Sequence, residues 1–386
     1  MTNETSPLKI NWQIINWLRG LAALYVVVNH ARANLFTSAV QYAQTIKPKA
    51  SWGLWEWGNI ILMEHTDLGP EFVILFFVLS GFSIAHSLNN NTNTLAFYKR
   101  RAIRLYPPYL LGILWALFIF LIIRLFASDV YYHVTEGFQP VANLYNQFTD
   151  LRVFLQNLFY DPVHNALTPQ YWSLPFEVIF YLIAPWVIKK LKWYGAFTLI
   201  FYAIGWILKG YIYYEDTTDP MIPQFLTDYN IYFLVGILFY TYRKDITERL
   251  SFNPKLSIIV LVFIIEVLVV AKSYLFHQVS NKITGLLMVL FSFIILFTAL
   301  KHQIQVKWLQ KIGIFSYTLY VSHFASIFLI NIVFYKLGFS FYHVTVMYAW
   351  YIGIILPVVI ASILYYFAEY PAIKYLERLR IPHQNN

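Results

Sequence analysis

The chain reads as an all-α membrane bundle of about ten transmembrane helices with both termini in the cytoplasm. Three observations lead there. Of 386 residues, 59% are hydrophobic. Only 12% are charged, roughly half the ~25% usual in soluble domains. Apolar runs recur along the whole chain, at the length of about 20 residues that carries a helix across a bilayer.

The spans follow from hydropathy in chain order. The first, 13–33, contains LRGLAALYVVVNHA (18–31), and the second, 70–88, contains FVILFFVLSGFS (72–83). The third, 107–127, starts at Pro107 and Pro108, because a first turn tolerates residues without an N–H. The fourth and fifth, 173–191 and 193–209, are parted only by Lys192 and its neighbours. The remainder lie at 228–242, 256–272, 283–300, 312–335 and 345–367, the last closed by FAEYPAIKYLER (367–378).

Basic residues orient this set. Of 28 Lys and Arg, 18 fall in one set of alternate connections: Lys9, the KRRAIR run, the Lys189–Lys192 cluster, the 243–255 and 301–311 turns, and the tail. Nine fall on the other side, with Arg19 set apart. The positive-inside rule places the richer side in the cytoplasm. This clustering also accounts for the net charge of +9 without nucleic acid as a partner. Twelve Trp and 31 Tyr suit interfacial belts. The lack of Cys excludes a disulfide scaffold, a Cys-ligated metal and a thiol nucleophile. No metal site is expected. The polar N-terminus MTNETSPLK leads straight into the first span with no cleavable signal evident. A single membrane domain, 1–386, is expected, with an outer loop at about 128–172 and no attached soluble domain.

Ionisable residues inside spans mark candidate chemistry, since they normally face the bundle interior. Arg19 and His30 are eleven residues apart, which brings them to within roughly 20° on one helix face and about 16 Å apart along the axis. Either Arg19 snorkels and His30 sits at the outer interface, or both line a polar cavity. Glu177, one turn into the fourth span in QYWSLPFEVIFYL (170–182), lies at the depth of His30. A histidine oriented by a carboxylate is an arrangement for general-base work on a hydroxyl; a structural pair that fixes packing is the alternative. Ser80 and Gly81 in the second span permit close helix approach, and no elbow pattern makes Ser80 a nucleophile. Arg101 and Arg104, three apart in FYKRRAIRLYPPYL (97–110), serve either as topology determinants and headgroup contacts or as a paired guanidinium site for phosphate. Tyr317, Tyr320 and His323 recur at three-residue spacing in KIGIFSYTLYVSHFASIF (311–328), so they share a flank, with His323 near mid-membrane as a packing or pocket-lining residue.

Taken together these stretches resemble the acyltransferase-3 family of integral membrane acyltransferases, which O-acylate surface glycans and other extracytoplasmic acceptors. The Arg19-x10-His30 spacing looks like the family's first-helix signature, and FFVLSGF (76–82) like its second-helix motif. RRAIRLYPPY (100–109) is similar to its Arg-x-x-Arg element and WSLPFE (172–177) to its WSL-x-x-E segment. SYTLYVSH (316–323) and AEYP (368–371) are similar to its late elements. Asn16, Pro175 and Val178 depart from the pattern, and Val178 leaves Glu177 as the one carboxylate of its segment.

The resemblance implies an acyl-CoA co-substrate, acetyl-CoA foremost, with no permanently bound cofactor. It implies transfer to a hydroxyl of an extracytoplasmic glycan or lipid-linked saccharide by a multi-pass protein of the bacterial inner membrane. His30, Glu177 and Arg19 would then be catalytic. Arg101, Arg104, Ser80, Tyr317, His323 and Trp172 would bind donor or substrate. A polysaccharide polymerase or transporter of similar topology is the competing reading, and a non-catalytic sensor the third.

Overall fold

The computed structural model describes residues 10–36, 38–90, 93–128, 148–160, 167–211, 221–251, 253–274, 277–339, 346 and 348–379. Lys9, Arg380, part of the 89–94 tract and most of the expected outer loop, 129–147 and 161–166, lie outside them. Among the described residues the secondary structure is helical throughout. Ten long helices correspond to the ten hydropathy segments: α1 (Trp12–Leu35), α2 (Gly69–Asn90), α3 (Thr94–Phe126), α4 (Leu174–Val187), α5 (Leu191–Tyr211), α6 (Asn230–Thr241), α7 (Pro254–Tyr274), α8 (His277–Lys301), α9 (Ser316–Lys336) and α10 (Ala349–Leu364).

Eight segments among the described residues are long and apolar enough to cross a membrane. The two fewer than expected have separate causes. Helix α1 has 24 residues, roughly 36 Å and so long enough, but Arg19, Asn29, His30, Arg32 and Asn34 dilute its apolar character. Helices α4 and α5 are joined through the 3₁₀ turn Ile188–Lys190 into the continuous helical segment Pro169–Leu208, which counts once.

The start expected for the third helix needs correction. Helix α3 begins at Thr94, not at Pro107, and carries Pro107 and Pro108 in its interior. Its 33 residues measure roughly 50 Å, against a hydrocarbon core of about 30 Å. The basic run Lys99–Arg104 therefore rides on a helical extension. Each proline lacks the N–H that would bond four residues back, which leaves the carbonyls of Ile103 and Arg104 without their intrahelical donors.

The chain packs as two compact units. One comprises Met1–Ala22, Pro70–Tyr98 and Phe176–Ile314; the other comprises Ala23–Gly69, Lys99–Pro175 and Phe315–Asn386. In the first, α2 and α6 meet backbone to backbone through a reciprocal glycine contact. A Cβ on Gly81 would lie 2.1 Å from the Phe233 carbonyl oxygen, and one on Gly236 would lie 2.0 Å from that of Val78. The segment before α6 passes through a π-helical turn, Phe225–Tyr229. That turn carries Asp228, whose carboxylate pairs with Lys282 of α8 at 2.8 Å. A second ion pair, Lys272–Glu71 at 3.2 Å, ties α7 to α2.

In the second unit, α9 is the central helix. One flank packs Phe324, Phe328 and Ile332 against Ala116, Ile119, Phe120 and Ile123 of α3. The other sets Ile327, Ile330 and Phe334 against Ala31 and Leu35 of α1 and Trp350 of α10. The helix also carries five buried polar residues, Thr318, Ser322, His323, Ser326 and Asn331, each at most 1% exposed. Polar groups withdrawn from water and lipid need partners inside the protein. Ser322 and Ser326 donate to the carbonyls of Thr318 and Ser322, each at 2.8 Å, whereas the buried Asn331 amide makes no hydrogen bond among the described residues.

Candidate active site

His30 lies in the second half of α1, partly exposed, and His323 lies in α9 with none of its surface exposed. Their side chains meet: His30 Nδ1 is 2.8 Å from His323 Nε2. The ring centroids are 5.1 Å apart and the planes differ by 13°. A nitrogen contact this short with centroids this far apart requires both nitrogens to lie on the line joining the ring centres. The rings therefore meet edge to edge, nearly in one plane, as a straight hydrogen bond demands, rather than face to face. Phe324 closes on His30 at right angles, with centroids 5.1 Å apart.

The backbone under His323 is held by its own set of contacts. His323 Nδ1 lies 3.0 Å from the Leu319 carbonyl and 2.9 Å from that of Tyr320. The 3₁₀ turn Pro169–Ser173, which opens the WSL stretch, grips the same part of α9. Gln170 Nε2 donates to the carbonyls of Tyr320 (3.2 Å) and Val321 (3.4 Å), and Tyr171 donates to Val321 at 2.9 Å. In return Tyr320 donates to the Gln170 carbonyl at 2.7 Å and meets the Ser173 hydroxyl at 2.6 Å. Trp172 itself is half-buried at this turn. At its start α9 is capped from a distance: Glu369 Oε2 accepts from the Thr318 amide (3.0 Å) and hydroxyl (2.6 Å). Tyr317 is half-buried one position earlier.

The first unit holds a second constellation. Glu177, in the first turn of α4, accepts hydrogen bonds on Oε1 from Ser80 at 2.9 Å and from Tyr181 one turn on. Ser80 therefore donates to a carboxylate. His30 and Glu177 belong to different units. Inside its own unit the partner of His30 is His323, and inside its own the partners of Glu177 are Ser80 and Tyr181. Arg19, half-buried, falls in the first half of α1. Arg101 and Arg104, both half-buried, lie one turn apart on the extension of α3.

Sequence reasoning named neither Tyr181 nor Gln170 as a site residue, and it did not pair the two histidines. The i, i+4 spacing of Glu177 and Tyr181 was a usable signal. Gln170 offered none, because its partners are carbonyls that every residue possesses. The His30–His323 contact joins positions 293 apart and depends on the rotation of two helices, to which hydropathy is blind.

Comparison with known proteins adds a family. Residues 12–366 match a family model described as an acyltransferase domain. The chain is similar to the acyltransferase MdmB of Streptomyces mycarofaciens, at 27% identity over 145 residues, covering 35% of this chain and 34% of that protein. It is also similar to a protein of Acidianus two-tailed virus named as a candidate acetyltransferase, at 25% identity over 268 residues, covering 65% of this chain and 71% of the relative. The match thus spans about a third of the first relative's length. No solved structure matches.

Proposed function

The chain belongs to the acyltransferase-3 family, and from that premise we propose that it is a bacterial inner-membrane O-acyltransferase. It moves an acyl group, acetyl foremost, from cytoplasmic acyl-CoA to a hydroxyl of an extracytoplasmic glycan or lipid-linked saccharide. The observation that supports the mechanism is the imidazole pair: His30 is held in line by a fully buried second histidine while part of its own surface stays open.

In this mechanism His30 acts as general base. The acceptor hydroxyl gives its proton to His30 as its oxygen attacks the thioester carbonyl. The new C–O bond forms, the C–S bond breaks, and the departing CoA thiolate takes the proton from the His30 imidazolium. The products are the O-acyl ester and CoA–SH, and His30 is returned neutral. Glu177, with Oε1 held by Ser80 and Tyr181, is the carboxylate assigned to the same reaction, and Arg19 helps to organise the donor. Arg101 and Arg104 hold CoA phosphates, for which planar guanidinium forks are suited. Tyr317 and Trp172 are assigned to the walls of the binding site.

The test is transfer of radiolabel from [acetyl-¹⁴C]CoA to cell-envelope glycan by membranes that contain the protein. Label in alkali-labile ester, absent from membranes with His30→Ala, is the expected result. Label that is equal with and without the protein would overturn the proposal. Glycan export or chain growth without label would favour the transporter or polymerase reading.

A further inference from the structure

The reaction proposed for His30 does not say which ring nitrogen reacts, and the surroundings of His323 bear on that choice. Backbone carbonyls only accept hydrogen bonds. With Leu319 O and Tyr320 O at 3.0 and 2.9 Å, Nδ1 of His323 must carry a hydrogen. A neutral imidazole has one N–H, so Nε2 of His323 is a bare lone pair. It faces Nδ1 of His30 at 2.8 Å. If His30 carried its hydrogen on Nε2, two lone pairs would confront each other at that distance inside the protein. Only the tautomer with hydrogen on Nδ1 makes the contact a hydrogen bond, and the edge-to-edge alignment of the rings aims that N–H along the bond.

Resting on the acyl-transfer reading of this site, we propose that His323 is a positioning residue. It fixes His30 as the Nδ1–H tautomer, so that Nε2 of His30 is the nitrogen that takes the acceptor's proton. The order is imposed from the backbone of α9 outward: two carbonyls set the hydrogen of His323, and His323 sets that of His30. A buried neutral imidazole does here what a carboxylate does in catalytic triads. When His30 becomes an imidazolium, its Nδ1–H continues to donate to His323 Nε2. The charge is therefore solvated by a fixed acceptor at no reorganisation cost. Gln170 and Tyr171 gain a purpose from this, because they hold the α9 backbone where the relay begins.

Two measurements test the assignment. The first needs no substrate, so its failure is distinguishable from failure of the acyl-transfer reading. Protein labelled with ¹³C,¹⁵N-histidine is examined by NMR at about pH 8, where an ordinary imidazole is neutral, and the His30 signals are identified by their loss in His30→Gln. Ring shifts of an Nδ1-protonated imidazole at both His30 and His323 are expected. An Nε2-protonated His30 would overturn the proposal.

The second compares two variants in the label-transfer assay. In His323→Gln the amide oxygen takes the place of Nε2 and accepts from His30, and kcat is expected to stay within about tenfold of wild type. His323→Leu fills the space without an acceptor, and kcat should fall about 10²-fold or more with KM for acetyl-CoA unchanged. Equal kcat in the two variants would overturn the positioning role.

Discussion

Glu369 shows how a single residue of a motif can be structural and still sit close to the chemistry. It is 2% exposed, and its Oε2 accepts from the amide and the hydroxyl of Thr318, five positions before His323. Glu369→Ala orphans a buried N–H and a buried O–H, at about 1–3 kcal/mol each. A lower melting temperature in detergent is expected, with Glu369→Gln intermediate; identical melting would show that the cap is dispensable. Arg101 and Arg104 make the opposite prediction. Each replacement by Ala should raise KM for acetyl-CoA about tenfold, the scale of one charge-assisted hydrogen bond, and leave melting unchanged. An unaltered KM would remove them from donor binding. Lys282→Met removes the cation paired with Asp228 (12% exposed side chain) and should destabilise by about 3–5 kcal/mol. The double variant Lys282→Met, Asp228→Leu should recover most of that.

At the scale of elements, α3 departs furthest from what hydropathy suggests, and the departure is testable. A run of basic residues ahead of two prolines reads as a loop before a helix, yet the helix runs through both. The helical bonding on either side holds the two positions that propensity alone would break, because tertiary context overrides propensity. Pro107→Ala restores a donor to the Ile103 carbonyl and is expected to raise the melting temperature. A fall would mean that the Pro-bearing geometry is itself packed for. The short helix Leu54–Glu64 lies outside the candidate spans and is built on a different device. Its first-turn Glu56 bonds Lys47 at 2.5 Å and the Gly53 amide at 2.8 Å. The Lys47 hydrogen bond foremost, then the backbone bonds, hold the Glu56 carboxyl below its ordinary value. A depressed folded value means that the cap is fully present above the normal carboxylate range and is lost as pH falls through the lowered one. Amide exchange at Gly53 should therefore quicken on acidification, after correction for intrinsic rates, and should not in Glu56→Gln. The long helices were legible because a backbone in lipid must bond to itself, although eight rather than ten segments among the described residues are long and apolar enough to cross. The π turn at Phe225–Tyr229 was not, because one extra residue in a helix leaves no mark on hydropathy.

For the molecule as a whole, the distribution of Lys and Arg predicts orientation, and the absence of Cys in the sequence makes that easy to read. A Lys192→Cys variant should resist a membrane-impermeant maleimide in intact cells, whereas Lys47→Cys should react; the reverse pattern would invert the topology. The candidate site was legible to the extent that chemistry was local. Arg19, His30, Ser80, Glu177 and His323 announced themselves as polar residues in apolar company. Which of them touch was not legible, because contact across helices is decided by rotation and depth rather than by composition. One such rotation is decided at Gly81 and Gly236, where each glycine lies under the other helix's carbonyl. If α2 turned by a single residue, Ser80 or Phe82 would have to enter a space that admits only a hydrogen atom. That keyhole sets the azimuth of the hydroxyl next door, so the bond from Ser80 to Glu177 is aimed by two side chains that are not there.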